Sequence, residues 1–165
     1  MQIDSEIKIG LGEFIVSKTD TKGKITYCNE IFIKMSGYKE EELLDKPHNI
    51  VRHPDMPKAV FKLLWQRVQN KEEIFAYVKN LSKDGRYYWV FANVTASVDE
   101  FGKIIGYYSV RIKPNEQAIK TISSIYSKMI ELERGAGVEA SMEYLNKLLD
   151  EKGVSYDEFI ISLQE

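Results

Sequence analysis

The chain is poor in cysteine, histidine and proline, and it lacks any long apolar run. Of its 165 residues one is cysteine, two are histidine and four are proline. A lone thiol, Cys28, excludes a disulfide within the chain and fits a reducing compartment. It sits between Tyr27 and Asn29 with no cation beside it, so a buried inert thiol is expected rather than a nucleophile paired with His48 or His53. Two histidines alone do not make a closed zinc site. Neither the glycine-rich phosphate loop nor the dinucleotide fingerprint is present. No apolar stretch approaches the length of a membrane span, and the first residues lack the basic-then-apolar order of a signal peptide. The expectation is a cytoplasmic protein without a catalytic set, brought to any membrane by another protein.

What is present is the composition of an ordinary soluble domain, 44% hydrophobic and 29% charged, with a net charge of -2. That balance gives no reason to expect a nucleic-acid partner. The charge is unevenly spread. Residues 1–114 carry 18 basic and 15 acidic side chains, net +3, whereas residues 115–165 carry 5 and 10, net -5. An acidic tail can dock on a basic domain or a basic partner, although a solvated helical face is the commoner outcome.

Periodicity divides the chain into residues 1–12, 13–113 and 114–165. In the first segment Ile3, Ile7 and Leu11 recur every four residues, as in a short amphipathic helix, and a frayed terminus is the alternative. Residues 13–19 and 24–28 read as a hairpin around Asp20-Thr21-Lys22-Gly23. Asn29 is placed to cap a helix that Gly37 closes. Residues 39–44 form a second short helix with acids in its first turn, and residues 58–69 a longer one with Phe61, Leu64, Trp65 and Val68 on one stripe. Strands follow over 74–81, 86–97 and 104–112, the first two joined by an Asp84-Gly85 turn. This order predicts an α+β domain, a five-stranded antiparallel sheet with helices on one face. After Pro114 come three amphipathic helical segments. The Gly135-Ala136-Gly137 run and Gly153 break them, and Ser155-x-x-Glu158 caps the last. They could form a hairpin, pack on the sheet, or bind another protein.

Two places carry candidate chemistry. The stretch from His48 to Pro57 holds both histidines, Arg52, Asp55 and two prolines. Prolines bias the preceding residues away from helix, so this is a shaped loop beside an apolar helix. It is either a ligand wall or a rigid connector, and composition alone favours the connector. The strand over 86–97 is apolar on both faces, with Tyr88, Val90, Ala92 and Val94 on one and Tyr87, Trp89, Phe91 and Asn93 on the other. One face would line helices and any ligand. The other needs a cover too: a flanking helix, a second copy of the chain, or a partner protein. Asn80 shares its face with Ala76 and Val78, and a buried amide there needs a hydrogen-bond partner. A single histidine would suffice for an axial haem ligand, so a haem sensor remains open.

These same residues carry a resemblance. The runs SGYKEEELLDKPHNIVRHPDMPK, VKN, KDG, YYWV and GYYSVR closely resemble PAS domains of the aerotaxis-receptor type over about residues 13–113. The whole chain, tail included, resembles the stand-alone PAS proteins of bipartite energy-taxis systems. The resemblance implies a PAS fold with a C-terminal helical segment and non-covalent FAD whose redox state is reported. It implies cofactor-binding roles for Arg52, His53 and Asp55 in the loop, Trp65 on the helix and Asn80 on the strand, with His48 and Asn29 matching further positions. Phe75 departs from the pattern where relatives carry a second tryptophan. Cys28 lies outside the motif of the photosensory relatives, so covalent photochemistry is not expected. The implied partner is a membrane-anchored receptor of the chemotaxis type, with homodimers as a further assembly. The alternative reading is a ligand-free adaptor or dimerisation module.

Overall fold

The computed structural model describes residues 2–165. The elements in chain order are β1 (Ile15–Thr19), β2 (Ile25–Cys28), α1 (Glu30–Ser36), α2 (Glu40–Leu43), a 3-10 turn (His48–Val51), α3 (Lys58–Gln69), β3 (Ile74–Leu81), β4 (Tyr87–Val98), β5 (Ile104–Ile112), α4 (Glu116–Ala136), α5 (Val138–Lys152) and α6 (Tyr156–Gln164). The five strands form one sheet in the order β2-β1-β5-β4-β3, and every neighbouring pair is antiparallel. This is the α+β architecture expected from the sequence.

Local chemistry explains the turns. Asp20 Oδ1 accepts from the Lys22 and Lys24 N–H groups at 2.9 Å each, and Asp99 Oδ1 repeats this with Phe101 and Lys103 at 2.9 Å each. A short acceptor at the first turn position holds both hairpins closed. At Gly106 a side chain would run into the Thr19 carbonyl, so the close approach of β5 to β1 requires glycine there.

The register sorts the sheet's two faces. Ala76 pairs with Ala92, and Ala92 with Arg111, on the inner face that α1 and α3 cover. Tyr77 pairs with Phe91, and Lys79 with Trp89, on the outer face. The outer face of β3 and β4 is covered by the chain's own tail. Tyr126 of α4 stacks on Trp89 with centroids 6.2 Å apart, and its hydroxyl donates to the Tyr77 carbonyl at 2.7 Å. Tyr156 donates to the Phe75 carbonyl at 2.8 Å, and the Tyr77 hydroxyl donates to the Ile160 carbonyl at 3.1 Å. Helices therefore lie on both faces at this edge of the sheet.

The tail also wraps around the β3 edge to reach α3. Arg67 grips Asp157 through both carboxylate oxygens at 3.0 and 3.1 Å, Lys62 pairs with Glu139, and Glu133 accepts from the backbone at the start of α3. The tail's negative charge is thus partly spent on the domain, rather than forming only a solvated face.

Two expectations change. Residues 3–7 are not helical. They run extended beside β4, with Ile3 N–H to Gly85 O at 2.8 Å, Tyr87 N–H to Ser5 O at 3.0 Å and Ile7 N–H to Tyr87 O at 2.7 Å. Because β5 pairs with β4 only from Phe91 onward, the start of β4 has free backbone groups on that side, and a short segment gains more by satisfying them than by nucleating a helix. Helix α4 also continues through Gly135 and ends only at Gly137, which stands at φ 91°.

Candidate functional site

A cavity of about 220 Å³ lies between α3 and the inner face of the sheet. Phe61, Leu64, Trp65 and Val68, the stripe on α3, form one wall, and Val78, Asn80, Ala92 and Val94 of β3 and β4 form the other. The space is a slot between an aromatic helix face and a flat sheet, a shape suited to a planar ligand. Trp65 stands edge-on to Tyr107 with centroids 5.2 Å apart. Arg52 lays its guanidinium over Phe61, 3.8 Å from the ring centroid. Lys22 and Arg52 are exposed and mark the rim.

Polar groups converge at the sheet end. Asn80 is 4% exposed and is paired with Tyr88 across the strands. Arg111, on β5, is 3% exposed. Its Nη1 donates to His48 Nε2 at 3.0 Å and its Nη2 to Ser17 Oγ at 2.7 Å, while Ser17 Oγ and His48 Nε2 lie 2.9 Å apart. Since Arg111 can only donate, the network assigns a bare Nε2 to His48 and places that imidazole's proton on Nδ1. Burial, then the Arg111 charge, pushes His48 down to about 3, so it is neutral at ordinary pH. Burial also lowers Arg111 to about 10, which leaves it charged.

Of the residues named from the sequence, the structure brings Arg52, His48, Trp65 and Asn80 to the cavity. It does not bring His53, Asp55 or Asn29 there. His53 is 4% exposed; its Nδ1 accepts the Asp55 N–H at 3.0 Å and its ring meets Tyr87 edge-on at 6.3 Å. Burial, then the Lys79 charge, lowers its pKa. Asp55 turns outward to Lys79 Nζ at 3.0 Å. Met56 Sδ accepts the Lys79 N–H at 3.3 Å, and Arg52 forms an isolated antiparallel bridge with Asn80. The second half of the loop, from His53 on, is therefore strapped along the edge of β3, and of the RHPD run only Arg52 lines the slot. Asn29 caps α1, accepting from Phe32 N–H at 3.1 Å and Val16 N–H at 3.0 Å and donating to Phe14 O at 2.8 Å. Phe75 lies on the outer face, stacked on Phe91 at 5.6 Å. Cys28 is buried, and burial pushes its thiol up, as befits an inert side chain.

Sequence reading missed Arg111 and Ser17. A signal existed, because alternation along β5 puts Arg111 on the face shared with Tyr107 and Ser109, where a cation is out of place.

A family profile described as "PAS fold" matches residues 25–111, more than half of the chain. The chain belongs to the PAS fold family. Over 115 residues it is 42% identical to the aerotaxis receptor of Escherichia coli, covering 70% of this chain and 22% of the receptor. It is 28% identical over 87 residues to the biofilm dispersion protein BdlA of Pseudomonas aeruginosa, covering 52% of this chain and 21% of that protein. The chain thus spans about a fifth of the length of these curated relatives. Solved PAS-type structures agree in fold. A structure titled "Flavin Analogue Sheds Light on Light-Oxygen-Voltage Domain Mechanism" superposes with a TM-score of 0.62 at 19% identity, covering 71% of this chain and 89% of that one. The light-state structure of the Aureochrome1 LOV photoreceptor gives 0.59 at 23%, covering 67% and 88%. Within this PAS domain the slot between α3 and the sheet is the candidate ligand site. Among the described residues no helix is long and apolar enough to cross a membrane, and no group of three or more histidines, cysteines or acids could hold a metal ion.

Proposed function

We propose that this protein is a non-enzymatic redox sensor that holds FAD non-covalently in the slot and passes the flavin's redox state to a separate membrane-anchored receptor of the chemotaxis type. The observation that carries the reading is the slot itself. It combines an aromatic wall with a buried amide at one end and cations at both ends, in a chain 42% identical to part of an aerotaxis receptor. The residues fit the group. Trp65 and Phe61 would flank the ring, Asn80 would meet its polar edge, and Lys22 and Arg52 at the rim suit phosphates. A bound flavin would supply reversible electron and proton uptake.

The chain's own part is to turn a change at the ring into a change of surface. Asn80 is the pivot. If the ring edge changes from acceptor to donor, the amide must rotate or lose a bond, at a cost of roughly 1–3 kcal/mol when buried. The same strand carries the proline-bounded loop at Asn80 and Lys79 and the tail's tyrosines at Tyr77 and Phe75. A shift of β3 therefore reaches both, and a tail equilibrium altered by a few kcal/mol is a surface that a partner can read.

The haem alternative loses support from His48, whose Nε2 is engaged by Arg111 and Ser17, and from His53, which lies outside the slot. The test is the visible spectrum of freshly purified protein, with any chromophore released and chromatographed. Oxidised-flavin bands that bleach with dithionite, with FAD released, support the sensor. Colourless protein that takes up no added FAD overturns it in favour of the adaptor reading.

A further inference from the structure

Among the described residues Arg111 is the one arginine buried in the core without an acid. Arg67 and Arg86 pair with Asp157 and Asp84, and Arg52 and Arg134 are exposed. Among the described residues no carboxylate pairs with Arg111, and its Nε has no hydrogen-bond partner at all. Its hydrogen-bond partners are the neutral His48 and Ser17, the Phe32 ring centroid lies 4.7 Å from the guanidinium carbon, and the nearby Tyr88 phenol is kept un-ionised by burial. A buried cation with only neutral partners is costly, and one that lines a ligand slot has an obvious remaining partner.

We propose that Arg111 is the charge centre of an anion subsite at the sheet end of the slot, set by Ser17 and His48, and that it selects a ring ligand carrying negative charge on that edge. Ser17 and His48 hold two of the guanidinium nitrogens from one side, which fixes its plane. A neutral His48 leaves the positive charge uncancelled and adds none of its own.

This deepens the flavin reading and rests on it. Two electrons from an external donor (dithionite in the assay) and one proton convert the oxidised ring to its singly negative reduced form; a second proton would neutralise it. Arg111 favours stopping at one proton. The consequence is a potential held high and a weak pH dependence. One proton per two electrons changes the equilibrium tenfold per pH unit, about 30 mV, whereas two protons give about 59 mV.

The experiment is spectroelectrochemical titration of the flavin-loaded protein on both sides of neutral pH, for the native chain, Arg111→Lys and Arg111→Gln. The expected result is a slope at or below about 30 mV per pH unit throughout for the native chain and for Arg111→Lys. Arg111→Gln should give a lower potential and a slope near 59 mV below neutrality. A native slope near 59 mV below neutrality, or Arg111→Gln with native potential and slope, overturns the subsite. The native slope decides even if Arg111→Gln fails to fold. Protein that takes up no flavin overturns the sensor reading itself, a different outcome from coloured protein with the steep slope.

Discussion

The Glu133 carboxylate, from the tail, caps the helix that opens at Lys58. Its Oε1 accepts the Lys58 N–H at 2.8 Å and its Oε2 the Ala59 N–H at 3.1 Å. Helix α3 has Pro57 at its N-cap and no side-chain cap of its own, so its first N–H groups would otherwise go unpaired. The capped helix is the wall of the slot, and the capping residue is 75 positions away. The tail and the ligand site thus share an element.

Glu133→Gln should lower stability by about 0.5–2 kcal/mol, the usual cost of weakening or losing a cap. Chemical denaturation measures it, and limited proteolysis should show the tail released more readily. An unchanged midpoint with unchanged cleavage would show that the cap contributes nothing.

Removing residues 115–165 should uncover Tyr77, Trp89 and Phe91. Each is buried now, and each buried aromatic contributes roughly 1.5–3 kcal/mol through burial. The shortened chain should self-associate or precipitate, as sedimentation would show. A stable, well-folded monomer would mean that the outer face tolerates water.

His48 makes stability sensitive to acid. Its folded value of about 3 lies below its ordinary 6.5, so the unfolded chain binds the proton first as pH falls. Stability from this group is fully present above pH 6.5 and is lost progressively from there down to about 3, at up to ~1.4 kcal/mol per pH unit. His53, also lowered by burial, acts in the same direction. Denaturation against pH should give a shallower slope in His48→Gln than in the native chain. Equal slopes would place the acid sensitivity elsewhere.

Trp65→Ala should weaken flavin uptake at least tenfold, about 1.4 kcal/mol, while Trp65→Phe keeps most of it, because the wall needs an aromatic face rather than an indole N–H. Equilibrium dialysis with FAD compares them. Equal affinity in all three would remove the helix wall from the site.

Asn80→Asp tests the pivot. The expected outcome is protein that takes up FAD yet no longer alters tail protection between oxidised and reduced states, followed by hydrogen exchange. Native binding together with a native redox response would remove Asn80 from the route.

The sequence alone determined the order and type of the strands and helices from β1 onward and the slot's aromatic wall. Apolar residues recurring at helical spacing place Phe61, Leu64, Trp65 and Val68 on one face of α3 whatever surrounds them, and period-2 alternation does the same for Val78 and Asn80. The apolar outer face of β4 likewise announced that something had to cover it. What covers it was decided by tertiary structure, since hydrophobicity names no partner, and only the folded tail brings Tyr126 onto Trp89. The proline-bounded loop divides the same way. Its rigidity follows from Pro54 and Pro57, but which side chain enters the slot depends on how the loop lies along β3, and that sends Arg52 inward and His53 and Asp55 away. Arg111, Ser17 and His48 stand far apart in the chain, and their meeting depends on the β1–β5 register, which no local pattern encodes.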